Sequence, residues 1–132
     1  MDYTQDAIER FSHDYYAIRT TGVKIEHVDI NYAKCSLEVN EDHLNTGGNV
    51  MGGAIFTLAD YAFGVAANTE AAPTVTLSST INYLSPSKGP MLFAEARCVK
   101  SGRTICFYEV TVTDSSEKIV ATLLMNGYRS SI

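Results

Sequence analysis

The stretch Met51-Gly52-Gly53-Ala54-Ile55-Phe56-Thr57-Leu58-Ala59-Asp60-Tyr61-Ala62-Phe63-Gly64-Val65-Ala66-Ala67 decides the fold. Only Thr57 and Asp60 carry clearly polar side chains in it. A helix that is apolar all round is a buried helix. It falls slightly short of a membrane span and carries a central carboxylate and three glycines. A central helix over residues 51–69, buried in a globular core, is therefore expected, and not a membrane crossing.

On both sides of this helix the hydrophobic period changes to two. Downstream, Val75, Leu77, Ile81 and Tyr83 alternate with Thr76, Ser78, Thr80 and Asn82, which predicts a half-buried strand. Ser85-Pro86-Ser87-Lys88-Gly89-Pro90 is a turn. Met91–Val99 and Thr104–Thr113 flank a hairpin at Lys100-Ser101-Gly102-Arg103, and 118–129 is a last strand. A hairpin centred on Gly102 sets Cys98 opposite Cys106, as reduced core thiols. Upstream, the alternation changes phase between Tyr32 and Ala33, which calls for two strands and a turn or bulge near 31–34. The segment 40–50 is a polar, glycine-bearing loop.

Residues 4–19 read as an amphipathic helix, with Ala7, Ile8, Phe11, Tyr15 and Ile18 on one stripe, Thr4 as N-cap and Gly22 as stop. The sum is an α+β chain: an N-terminal helix within 1–22, then an antiparallel sheet of five or six strands curled around one long helix. One domain over 1–132 fits the length.

Charges sum to 10 − 15 = −5. Without clustered Lys and Arg, nucleic-acid binding is not expected. Three Cys are too few for a disulfide scaffold, and the start lacks a basic and an apolar leader region. A cytoplasmic protein with free thiols, with no membrane partner, is the expectation. His13, His27 and His43 lack zinc spacing with the cysteines. Neither a Gly-x-Ser-x-Gly elbow nor a phosphate-binding Gly-x-x-x-x-Gly-Lys loop is present. That argues against an α/β serine hydrolase and a nucleoside triphosphatase.

Asp60 is the first candidate for chemistry. Its apolar flanks should desolvate an ionised carboxylate and raise its pKa, and such groups gather at functional sites. Gly52-Gly53 opens the same helix, where bare backbone amides and the helix dipole can receive a developing oxyanion. Gly53 and Asp60 are 60 − 53 = 7 positions apart, nearly on one face, yet about 10.5 Å along the axis. One carboxylate cannot reach a carbonyl held that far away in its own chain. If both serve one reaction, they come from different subunits of a symmetric dimer with two composite sites.

His43-Leu44-Asn45, Met51-Gly52-Gly53-Ala54, Leu58-Ala59-Asp60 and Asn82-Tyr83-Leu84-Ser85-Pro86 together resemble the PaaI-type hotdog-fold acyl-CoA thioesterases. The family spacing of six from Asn to His-Gly-Gly, then nine to a catalytic Asp, is matched by Asn45, Met51 and Asp60. The resemblance implies that Asp60 attacks the thioester carbonyl or activates water to do so. It implies that Gly53 or its neighbour binds the oxyanion, with the Gly52 amide the better match. Asn45 is implied to orient carbonyl or water, and Ser78 to stand near the attacking water. Without that implication, Asn45 reads as an Asx-turn residue and Ser78 as a hydroxyl bonded to a neighbouring strand. Met51, Ser85, Pro86, Lys100 and Arg103 are the candidates for substrate and CoA binding, the last two because basic groups on a loop suit phosphate.

The implied activity is hydrolysis of an aromatic or short- to medium-chain acyl-CoA to free acid and CoA. No metal or cofactor is required beyond the CoA of the substrate, and the assembly is a homodimer, paired into a homotetramer. Phe56, Tyr61 and Phe63 are candidate acyl contacts. One departure stands out: Met51 replaces the family's His and cannot donate its hydrogen bond. A non-catalytic acyl-CoA-binding protein, or a hotdog 3-hydroxyacyl thioester dehydratase or hydratase, are the alternatives. The dehydratase needs a His working with the carboxylate, and the helix has none.

Overall fold

The structure is a computed structural model describing residues 2–130. Its elements are α1 (Tyr3–Arg10), a π-helical turn (Tyr16–Thr21), β1 (Val23–Asp29), β2 (Tyr32–Glu38), a 3₁₀ turn (Glu41–His43), α2 (Gly52–Asn68), β3 (Thr74–Tyr83), β4 (Met91–Ser101), β5 (Ile105–Asp114) and β6 (Ile119–Arg129). The strands form one sheet in the order β1-β2-β4-β5-β6-β3, with every pairing antiparallel. It curls around α2 in the hotdog arrangement that the resemblance implied. No helix among the described residues is long and apolar enough to cross a membrane.

The seat for α2 is made by small side chains in register. Cys35, Ala94, Val112 and Ala121 form one row across β2, β4, β5 and β6, and none is exposed. Ala33, Ala96, Val110 and Leu123 form a second such row. The helix answers with Leu58, Ala59, Ala62, Ala66 and Ala67, likewise without exposure. Small residues on both surfaces let the helix approach closely at interior packing density. Leu58 and Phe63 fill what is left, each contributing about 1.5–3 kcal/mol by burial.

The N-terminal helix departs from its expected form. The apolar stripe runs unbroken through Phe11, but α1 stops at Arg10. Two side chains end it: the Ser12 hydroxyl donates to the Glu9 carbonyl at 2.8 Å, and the Tyr61 hydroxyl donates to the Phe11 carbonyl at 3.2 Å. Local hydroxyl bonds of this kind compete with the helical ladder. Asp2, not Thr4, caps the helix, accepting from the Gln5 amide at 3.1 Å. Thr4 instead docks α1 on β1, its hydroxyl accepting from the Val28 amide at 2.9 Å. Gly22 does end the second helical piece, at φ 95°.

Two strand registers also differ from expectation. The β1–β2 turn falls at Ile30-Asn31, with Asn31 left-handed at φ 62°, so Ile30 is exposed. A bulge between Cys98 and Lys100 slides the β4–β5 hairpin, so Cys98 faces Tyr108 and Cys106 faces Ser101. The two thiols are free and not opposite each other.

Candidate active site

The first turn of α2 is capped by Met51, which offers no side-chain hydrogen bond. The Ala54 and Ile55 amides turn back to the Met51 carbonyl at 3.0 and 3.2 Å, while those of Gly52 and Gly53 take no acceptor among the described residues. These two N–H groups remain for a ligand, with the helix dipole behind them. A Cβ on Gly53 would meet nothing within 4 Å, whereas one on Gly52 would stand 3.1 Å from the Tyr83 ring. The Tyr83 hydroxyl donates to the Gly52 carbonyl at 3.0 Å and steadies that peptide.

The approach to this turn is fastened by His43. Its Nδ1 accepts from the Asn40 amide at 3.0 Å, its Nε2 lies 2.6 Å from the Thr21 carbonyl, and its own carbonyl receives the Met51 amide at 2.7 Å. The partners assign the neutral ring with its proton on Nε2. His43 is a strap between loop and helix start, with no ring nitrogen left to stand in for the histidine that Met51 replaces.

Two turns further on, Asp60 points into a cleft of about 570 Å³. Its walls are α2 (Phe56, Thr57, Tyr61, Gly64), the start of β3 (Thr74, Thr76) and residues 13–17 of the N-terminal segment. The Thr76 hydroxyl donates to Asp60 Oδ1 at 3.2 Å. Burial pushes the Asp60 carboxyl above its ordinary range; the Thr76 bond pulls it down, and the nearby Asp14 charge pushes it up again. The desolvation that the apolar flanks foretold is therefore present, and a base with a raised pKa is better matched to proton transfer near neutral pH. Arg19 stacks 3.8 Å over the Tyr15 ring and braces the N-terminal wall.

Gly53 does not line this cleft. It lies in a second cavity of about 220 Å³ with His43, Met51 and Asp42, and among the described residues only Tyr16 and Thr57 border both. Within one chain the free amides and the carboxylate thus face separate spaces.

The remaining expected residues are scattered. Asn45 is exposed, and its Oδ1 accepts from the Gly47 and Asn49 amides at 3.0 and 3.1 Å, an Asx turn that shapes the loop. It does not line the Asp60 cleft. A bulge in β3 separates Ser78 from Thr76. Leu77 has no partner on β6, so Thr76 pairs with Gly127 and Ser78 with Asn126. The slip puts Thr76 and Ile81, five positions apart, on the inner face, and turns Ser78 outward to accept from Asn126 Nδ2 at 2.9 Å. The hydroxyl that meets Asp60 is therefore Thr76. Its only trace in the sequence is its place on the polar side of the strand, which Ser78 and Thr80 share. Ser85 and Pro86 lead into the loop beyond β3, where the Pro86 carbonyl accepts from Lys118 Nζ at 2.7 Å. Lys100 and Arg103 are exposed at the β4–β5 hairpin. Phe63 and Tyr61 are core residues at the cleft's edge, and Phe56 is half-buried.

A family profile described as the thioesterase superfamily matches residues 47–121. The acyl-coenzyme A thioesterase PaaI of Escherichia coli is 29% identical over 126 residues, covering 95% of this chain and 89% of that protein. The structure of that organism's PaaI superposes with a TM-score of 0.91 at 26% identity, covering 98% of this chain and 94% of the other. A putative esterase of Archaeoglobus fulgidus is 34% identical over 99 residues; the match takes in 74% of this chain and 64% of that protein's length. A hypothetical thioesterase of Streptococcus pneumoniae, solved with coenzyme A, has a TM-score of 0.83 at 27% identity, covering 93% of this chain and 96% of the other. Mutant structures of a hypothetical thioesterase from that species replace an aspartate and a threonine by alanine, sixteen positions apart.

Proposed function

This chain belongs to the thioesterase superfamily and is a PaaI-type hotdog protein, and we propose on that premise that it hydrolyses acyl-CoA thioesters at sites shared between two subunits. The observation that carries the reading is the Asp60 carboxyl, raised by burial and held by Thr76, on the same helix as two free glycine amides. The aspartate–threonine separation altered in the Streptococcus mutants is the separation of Asp60 and Thr76. The coenzyme A in the related Streptococcus structure supports a CoA ester as the ligand.

The proposed step begins with the thioester carbonyl oxygen on the Gly52 and Gly53 amides of one subunit. Asp60 of the other subunit takes a proton from water, whose oxygen bonds to the carbonyl carbon. Collapse of the tetrahedral intermediate breaks the C–S bond, and the thiolate leaves to be protonated as free CoA. Asp60 acting directly would instead form a mixed anhydride that water opens. The amides stabilise the oxyanion in either route, a contribution worth about 10²–10³ in kcat per donor.

The separation of Gly53 and Asp60, about 10.5 Å along one helix and facing different cavities, supports a site drawn from two subunits. The sheet supports a partner: β3 is an edge strand carrying exposed Val75, Leu77 and Tyr83, and an apolar edge is a template for pairing with a second copy. Lys100 and Arg103 are the proposed contacts for CoA phosphates. Asn45 is proposed to orient water or carbonyl through its Nδ2, since its Oδ1 is spent on the loop.

Met51 favours one alternative, an acyl-CoA-binding protein without turnover, since the helix start lacks an imidazole donor. Thiol release from a panel of acyl-CoAs decides between them. Turnover abolished by Asp60→Asn supports hydrolysis; binding without thiol release supports the alternative.

A further inference from the structure

We propose that Gly64 sets the size of the acyl group admitted to the Asp60 cleft, an inference that rests on the thioesterase reading. Gly64 lies one helical turn beyond Asp60, about 6 Å along the axis, and lines the same cleft opposite Thr74 and Thr76. A glycine inside a helix costs about 1 kcal/mol relative to alanine, so its presence needs a reason. Packing does not supply one, because a Cβ on Gly64 would meet nothing within 4 Å. Nor does a left-handed backbone, because Gly64 sits within the regular turns of α2.

Other glycines show what a packing reason looks like. A Cβ on Gly127 would come within 2.6 Å of Thr74 and 2.9 Å of Phe63. At Gly64 the missing side chain leaves room that belongs to the cavity. The walls around that room are fixed. Asn68 Nδ2 donates to the Gly64 carbonyl at 2.8 Å and to the Thr74 carbonyl at 3.0 Å, while its Oδ1 accepts from the Thr74 amide at 2.8 Å. This amide clamps the last turns of α2 to the start of β3. The gap between Gly64 and Thr74 therefore cannot widen to admit a larger group, and a side chain placed there subtracts from the space for the acyl end.

The test is the ratio of kcat/KM for phenylacetyl-CoA or hexanoyl-CoA to that for acetyl-CoA, in wild type, Gly64→Ala and Gly64→Val. A methyl-sized change in an apolar pocket discriminates about 10- to 200-fold. The ratio should fall about 10-fold or more in Gly64→Ala and further in Gly64→Val, while Gly64→Ala melts at a higher temperature. An equal loss on all three esters overturns the inference, as does an unchanged ratio. A lower melting temperature with dissociation of subunits also overturns it, because a partner then fills that space. Wild-type turnover that Asp60→Asn abolishes upholds the thioesterase reading whichever way the ratio goes. Absence of thiol release from wild type removes that reading and the inference together.

Discussion

Replacing Gly127 by alanine should destabilise the protein and loosen its grip on substrate. Gly127 lies on β6, paired with Cys106 on one side and Thr76 on the other. An added Cβ would stand 2.6 Å from Thr74 Cγ2, 2.8 Å from Cys106 Sγ and 2.9 Å from Phe63 Cζ. Carbon contacts prefer about 3.5–4.0 Å, so three neighbours must retreat by roughly an ångström. None has a flexible end, and Thr74 is pinned by Asn68 and Arg129. Overpacking of this kind costs about 1–3 kcal/mol. For a chain of this length, 1 kcal/mol moves Tm by about 3–4 °C, so a fall of about 3–12 °C is expected at fixed protein concentration. Thr74 and Phe63 also line the Asp60 cleft, so KM should rise more than kcat falls. Calorimetry and steady-state thiol release at the same concentration read both. An unchanged Tm would refute the packing argument, and a lower Tm with unchanged KM would refute the link from Gly127 to the cleft.

Asp60→Asn should lower kcat by about 10²–10⁴ and raise Tm at neutral pH. The sign follows from the raised carboxyl: the folded state holds the proton more tightly than the unfolded chain, so stability from this group is complete below the unfolded value and declines as pH rises through the folded one. A lower Tm for Asp60→Asn would contradict the desolvation. The acid limb of kcat/KM should lie above the ordinary aspartate value of 3.8, and a limb at or below it would count against burial as the cause. Thr76→Val removes a donor to the ionised form and should move that limb upward, whereas Ser78→Ala, on the outer face, should leave it in place.

The central helix was readable because nothing else explains residues 51–67 with only two polar side chains, and the row of small residues beneath it reads as period-two alternation. The N-terminal break was not readable, because Phe11 continues the helical stripe and one of the two hydroxyls that end α1 belongs to Tyr61, fifty positions away. The partner of Asp60 was hidden for a similar reason. A one-residue bulge at Leu77 puts Thr76 and Ser78 on opposite faces of β3, where period two would put them on one, and period two cannot show where a bulge falls. The role of Thr4 is not legible in the sequence, because a hydroxyl suits a helix cap and a strand amide equally well, and only the docking of α1 on β1 decides. The separation of Gly53 from Asp60 needed only the helical rise.

Mixing two inactive variants tests the shared site most directly. A Cβ on Gly53 would meet nothing of its own chain within 4 Å, so Gly53→Val sets a branched side chain beside the free amides, and Asp60→Asn removes the base. Each alone should be nearly inactive. In a mixed dimer one site carries both lesions and the other neither. With equal amounts and free subunit exchange, half the dimers are mixed and each has one intact site, so about a quarter of wild-type activity should return. Activity no greater than the sum of the two variants measured apart would contradict a site built from two chains.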